Sequence, residues 1–176
     1  VAGQIFAEQT LLFDLPSDRK AWGALPEAPE PLETLEPERL LWNALVLGVR
    51  DYCRKTGFSR VILGLSGGID SALTACIAAA ALGPANVLTV GLPSRYSSEG
   101  SLTDARALAE SLGLQFLTTP IAPLHNAAES SLAEAYAALG LPAPDPNAPD
   151  VAMENVQSRI RGLLLMAFSN RTGALL

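Results

Sequence analysis

Apolar positions along this chain recur with two different periods. From Glu38 onward, Leu41, Leu45, Gly48 and Tyr52 recur at four, three and four residues, which predicts a helix with one buried stripe and a stop at Gly57. Near-continuous apolar runs at Arg60–Leu65, Asn86–Leu92 and Gln115–Thr119 predict buried strands. Between them, Ser71–Leu82 and Ser101–Leu112 read as helices. In the second, Ser101 three residues before Asp104 is a capping signal, and Leu102, Ala105, Ala109 and Leu112 form the face to bury. A further helix is expected over Pro123–Leu139, after which GLPAPDPNAP breaks the chain. The last long helix, Val151–Ser169, is expected to bury Met153, Val156, Ile160, Leu163 and Ala167. Gly173–Leu176 then reads as the opening half of another strand.

Strands alternating with helices predict an α/β domain with a parallel sheet covered on both faces. Ligands of such sheets sit beyond the carboxyl ends of the strands. Ser66–Ser71, Pro93–Gly100 and Pro120–His125 all fall there. Ahead of this region, Val1–Leu15 contains the alternating segment QTLLFDL, read as a strand or an extended tail. Pro16–Pro37, with prolines at 16, 26, 29, 31 and 37 and several glutamates, cannot build a core and reads as a linker.

Composition narrows the classes of partner. With 176 residues and 49% hydrophobic content the chain can build one domain with a sizeable core. The formal net charge of −6 and the lack of any Lys/Arg cluster argue against a nucleic-acid backbone as main partner. A small anion stays possible, because a helix start can bind one without net positive charge. The apolar stretch Ala75–Leu82 is far shorter than a membrane span, and no secretory leader is visible, so a cytoplasmic protein is expected. Cys53 and Cys76 show no metal or redox spacing and read as reduced thiols, buried or half-buried. The chain opens on Val rather than Met, and is expected to be a piece of something longer.

The densest chemistry lies in Val61–Ala72, VILGLSGGIDSA. Gly67 and Gly68 permit backbone angles closed to other residues and let the main chain approach a ligand. The turn feeds a helix whose first amides lack internal partners, and these amides with the helix dipole make an anion seat. Ser66 and Ser71 add hydroxyls suited to phosphate oxygens. Asp70 would repel a bare phosphate, but fits if a magnesium ion lies between them. A P-loop is excluded because no lysine is present, and the dinucleotide fingerprint fails because Ser66 stands where its second glycine belongs. The plain alternative is a small-residue turn with Asp70 as a helix-start residue.

Gly64–Ser71 resembles the pyrophosphate loop of the ATP pyrophosphatases, enzymes that split ATP into AMP and pyrophosphate. Within that superfamily, LPSRYSS at Leu92–Ser98 and ENVQSRIRGLLLMAFSN at Glu154–Asn170 are similar to the glutamine-dependent NAD synthetases. The likeness covers roughly Pro37–Leu176. It implies a Rossmann-like three-layer α/β/α fold with a parallel sheet, its fourth strand only begun, of the adenine nucleotide alpha-hydrolase type. It implies that ATP meets Gly64, Leu65, Ser66, Gly67, Gly68, Ile69, Asp70, Ser71, Leu92 and Arg95, with Ser66 and Asp70 catalytic and Mg²⁺ on Asp70. Asn155, Arg159 and Gly162 share a helical stripe displaced from the Met153–Ile160 stripe. The resemblance implies that Asn155 and Arg159 contact deamido-NAD; the alternative is a solvated face with pairs such as Glu154–Ser158. Arg95, Tyr96, Ser97 and Ser98 read equally as a border of the ATP pocket or as a turn capping the Ser101 helix. His125, alone of its kind, reads as a surface or capping residue.

The implied reaction is adenylation of the nicotinate carboxylate of deamido-NAD, release of pyrophosphate, and displacement of AMP by ammonia. The ammonia would come from glutamine in a separate nitrilase-like glutaminase domain. Val1–Leu15 resembles the trailing end of that domain, and residues beyond Leu176 would carry a TGNKSE-like stretch and later basic groups. The segment by itself is therefore expected to be inactive, and the whole protein to be a homo-oligomer. The apolar helix Leu40–Tyr52 is either an intersubunit surface or a helix packed on its own sheet. Rival readings are another ligase of the superfamily, such as a GMP synthetase or tRNA thiolase, and a non-catalytic ATP-binding module.

Overall fold

In the computed structural model, residues 36–141 and 150–176 are described, together with Phe6 and Thr10. The expected tail and linker therefore lie almost wholly outside the described residues, as does most of the GLPAPDPNAP break. Helix α1 spans Pro37–Thr56, so Pro37 opens a helix rather than closing a linker. A proline is well placed there, because the first helical amides have no partner to lose. The helix ends where expected, at Gly57 with φ +83.

Three strands follow: β1 at Val61–Gly64, β2 at Val87–Gly91 and β3 at Gln115–Thr118. They pair in the order β1-β2-β3, all parallel, with Val61 opposite Val87 and Leu88 opposite Gln115. On the far side of β1 the chain returns at Leu175, whose carbonyl accepts from the Ile62 amide at 2.8 Å. Gly173–Leu176 thus begins another parallel partner, as its pattern predicted.

Alternation along the strands sorts the core into two layers. Val61, Leu65 and Val87 face one side with Leu63, and pack with α2 (Ile69–Leu82), α3 (Glu99–Leu112) and Cys53 of α1. Ile62, Val90 and Leu92 face the other side, against Ile160 and Leu164 of α5 (Val151–Thr172). Helix α4, Ala122–Ala138, lies against α5. The result is three layers, helix on sheet on helix.

Several details depart from the pattern in the sequence. The expected α1 stripe Leu41, Leu45, Gly48, Tyr52 faces outward, with the three large side chains 61%, 42% and 54% exposed; Val46, Val49 and Cys53, one position further along the helix, turn inward instead. In α5 the buried stripe drifts from Met153, Val156 and Ile160 to Leu164 and Phe168, leaving Leu163 exposed and Ala167 outside. A true 3.6-residue period moves the contact line by that one position. Strand β3 is not buried: Gln115, Leu117 and Thr118 are exposed, since it is the edge of the described sheet. Ser101 is not a cap either. Helix α3 starts two residues earlier, and Ser98 Oγ accepts from the Ser101 amide at 3.1 Å. Both cysteines are free, Cys53 buried and Cys76 half-buried. No helix among the described residues is long and apolar enough to cross a membrane.

Candidate functional site

The Ser66–Ser71 bend leaves the carboxyl end of β1 and enters α2, with Gly68 as the cap residue. It is held by its own small side chains. Ser71 Oγ donates to the Gly68 carbonyl at 2.9 Å and accepts from the Ser66 amide at 3.2 Å. With that proton committed, the Ser66 hydroxyl is the donor of the 3.0 Å bond between the two side chains. Ser66 Oγ in turn accepts from the Gly68 amide at 3.2 Å. The two hydroxyls brace the bend, so the groups left to bind an anion are the main-chain amides of the first turn of α2. The first bond inside that helix comes only at Ala72, whose amide reaches the Gly68 carbonyl at 3.1 Å.

Gly67 is required at its position. Its φ is +85, and a Cβ there would run into the carbonyl of Ser101, with that carbonyl carbon at 2.9 Å. The bend is therefore pressed against the first turn of α3. Asp70 and Ile69 are exposed on the first turn of α2, and the Asp70 carbonyl takes the Thr74 hydroxyl at 2.9 Å.

Beside the bend opens a cavity of about 320 Å³ at the ends of β1 and β2. Gly64, Leu65 and Ser66 line it from β1, and Val90, Gly91, Leu92 and Pro93 from β2. Ser97, Ser101 and Leu102 close it from the start of α3, and Arg161 and Leu165 from α5. Gly64, Leu65, Ser66 and Leu92 are thus brought together as expected of neighbours at strand ends. Gly67, Gly68, Ile69, Asp70 and Ser71 carry the chain on from Ser66 into the helix start and are not among the residues that line the cavity.

Arg95 lies apart from that lining. Its guanidinium pairs with Glu129 of α4 and sits 5.0 Å from the centroid of the Tyr96 ring. The hydrogen bond to Glu129 is the main reason its pKa is raised above the usual arginine value. The residues Arg95–Ser98 divide their tasks: Ser98 caps α3, Ser97 lines the cavity, Arg95 ties the connection to α4 and Tyr96 stacks under Arg95. Asn155 and Arg159 sit together on the exposed face of α5, where Arg159 donates to Asn155 Oδ1 at 2.9 Å. Gly162 continues that exposed face, while Met153 and Ile160 are buried on the other.

His125 corrects the expectation of a surface residue. It is only 3% exposed, packed between α4 and α5 with Nε2 3.4 Å from the Met153 carbonyl oxygen and Nδ1 3.7 Å from the Glu129 carboxylate. It is buried because α4 lies against the start of α5, a contact the local pattern does not encode.

The residue that the motif reading passed over is Arg161. Its Nε donates to the Leu92 carbonyl at 3.2 Å, and burial lowers its pKa from the ordinary arginine value. The signal was present, since Arg161 belongs to the same ENVQSRIR helix; its direction toward the sheet was not.

A parallel sheet whose first strand runs through a glycine bend into a helix start, with a cavity at the strand ends, is a three-layer α/β arrangement and agrees with the class that the resemblance to the ATP pyrophosphatases implies. Comparison with known proteins narrows this. The family model described as NAD synthase matches residues 41–176. A glutamine-dependent NAD(+) synthetase of Rhodobacter capsulatus is 49% identical over 172 residues, which are 97% of this chain and 29% of that protein. One from Synechocystis is 52% identical over 138 residues, covering 77% of this chain and 23% of that protein. Among solved structures, the glutamine-dependent NAD+ synthetase of Acinetobacter baumannii in complex with ADP superposes with a TM-score of 0.74. It is 38% identical, over 82% of this chain and 26% of that one. An NMN synthetase from Francisella tularensis shares the fold at a TM-score of 0.65 and 27% identity, over 78% of this chain and 52% of that one. The chain belongs to the NAD synthase family, and spans less than a third of the length of the glutamine-dependent relatives named here.

Proposed function

We propose that this chain is the nucleotide-activating part of a glutamine-dependent NAD synthetase, amidating deamido-NAD at the expense of ATP. The observation that carries the reading is the Ser66–Ser71 bend, which presents unpaired helix-start amides beside a cavity at the ends of β1 and β2. Such amides favour the charge that develops on a departing pyrophosphate. In the first step a nicotinate carboxylate oxygen attacks the α-phosphorus of ATP. The bond to the bridging oxygen breaks, and pyrophosphate leaves with its electron pair. In the second, ammonia attacks the acyl carbon, AMP departs and a proton is lost, leaving the amide.

The residues fit a magnesium ion that arrives with the nucleotide rather than one held by protein alone. Among the described residues no three acidic, histidine or cysteine side chains gather around a point. Asp70, exposed at the mouth of the bend, provides one carboxylate, and Mg²⁺ is commonly held by one or two carboxylates and substrate phosphates. Such an ion supplies charge neutralisation at the phosphates. Asn155 and Arg159 would receive deamido-NAD on the open face of α5, and Leu92 would lie beside the adenine. Arg95 would act on ATP only through a change of its pairing with Glu129. Ammonia would come from a glutaminase domain of the same longer, cytoplasmic protein; the Acinetobacter and Rhodobacter relatives are longer than this chain and are named as glutamine-dependent. Association of whole protomers would cover the outward stripe Leu41, Leu45 and Tyr52.

The test is a coupled assay of the full-length protein with ATP, Mg²⁺, deamido-NAD and either glutamine or ammonium. NAD and pyrophosphate should form in equal amounts. Asp70→Asn should lower turnover by about a hundredfold or more while leaving the melting temperature unchanged, because a surface carboxylate is lost without repacking. Formation of GMP or of amidated mononucleotide in place of NAD, or full activity of Asp70→Asn, would reject the proposal.

A further inference from the structure

The cavity lining holds hydroxyls, apolar groups and one charged side chain, Arg161. Arg161 stands two residues beyond Arg159 on α5, which turns it away from the exposed face and toward the sheet. Its Nε is spent on the Leu92 carbonyl, at 3.2 Å. That bond fixes the plane of the guanidinium, and the other four of its five N–H donors have no partner among the described residues. No carboxylate lies within ion-pair distance among the described residues. Arg95, by contrast, is neutralised by Glu129. A half-buried cation with no counter-charge is costly, and the cost is offset when an anion enters beside it.

The loop itself lacks a cation, since no lysine stands in VILGLSGGIDSA. Ser66, where the bend leaves β1, lines the cavity on one side, and Arg161 lines it from α5, in the helical layer on the other face of the sheet. Resting on the nucleotide reading above, we infer that Arg161 binds a phosphate oxygen of ATP inside the cavity, supplying from α5 the positive charge that the glycine bend does not contain. The Leu92 bond makes the same side chain a brace between α5 and the connection after β2. Its guanidinium geometry suits a phosphate better than a lysine's point charge would.

The experiment measures equilibrium binding of ATP and of adenosine to the full-length protein, without deamido-NAD, for the wild type, Arg161→Gln and Arg161→Met. Adenosine is titrated to millimolar concentration by NMR. Both variants keep a stem to pack, and Met serves if Gln disturbs folding. The expected result is ATP affinity down at least about tenfold, as for loss of a charge-assisted hydrogen bond, with adenosine affinity within about twofold on the same basis. Arg161→Lys should recover part of the ATP affinity. Unchanged ATP affinity overturns the inference. So does a parallel loss for ATP and adenosine, which would mean that Arg161 only holds Leu92 in place. A wild type that binds neither ligand instead rejects the nucleotide reading of the cavity itself.

Discussion

At the scale of single residues, Gly67 and Gly68 stand side by side under unequal constraints. Gly67 has φ +85 and no room toward Ser101, whereas a Cβ at Gly68 would meet only the Ser66 hydroxyl at 3.4 Å. Gly67→Ala should therefore cost about 2 kcal/mol or more, combining a disfavoured backbone with a clash against main chain. Gly68→Ala should cost about 1 kcal/mol or less, the effect of a poorer helix cap. Thermal denaturation of both variants checks this, and equal losses would refute the close approach of the bend to α3. The course of this bend could be read directly from sequence, because strand, turn and helix start are contiguous; that the Ser66 and Ser71 hydroxyls bond each other and the bend's own backbone could not. Arg161 was not legible in the same way. Whether an arginine faces water or a cavity depends on which side of α5 meets the sheet.

At the scale of elements, α1 carries two apolar rows at helical spacing, and only one is used inside the domain. Leu41, Leu45 and Tyr52 form one; Val46, Val49 and Cys53 form the other, with Val46 buried and Val49 and Cys53 in the core shared with α2 and the sheet. Val46→Ala should destabilise the domain by about 1.5 kcal/mol, the value of two buried methyl groups. Leu45→Ala should stay within about 0.5 kcal/mol for the protomer, as surface changes do. Chemical denaturation at a concentration where protomers are separate would decide; the reverse order would put the inward face on the wrong row. The same distinction explains α5, where local spacing placed Leu163 inside and the helix buries Leu164 instead. It also explains β3, whose apolar run resembles a central strand but lies at the edge of the sheet among the described residues. His125 belongs here too, since its burial is a property of α4 against α5.

At the scale of the molecule, the chain covers 29% of its Rhodobacter relative, and the last residues only begin to pair with β1. The 176-residue chain expressed alone should therefore form no NAD from ATP, deamido-NAD and ammonium, while the full-length protein should. Turnover by the isolated chain at the full-length rate would refute the proposed division of the site. Local sequence determined the strand–helix alternation, the parallel sheet and the glycine bend, because period and turn chemistry are set by neighbouring residues. Only tertiary structure decided which row of each amphipathic helix is inner, which strand is an edge, and which arginine meets the cavity. Those choices depend on contacts between segments far apart in the chain, and spacing within one segment satisfies either outcome equally well.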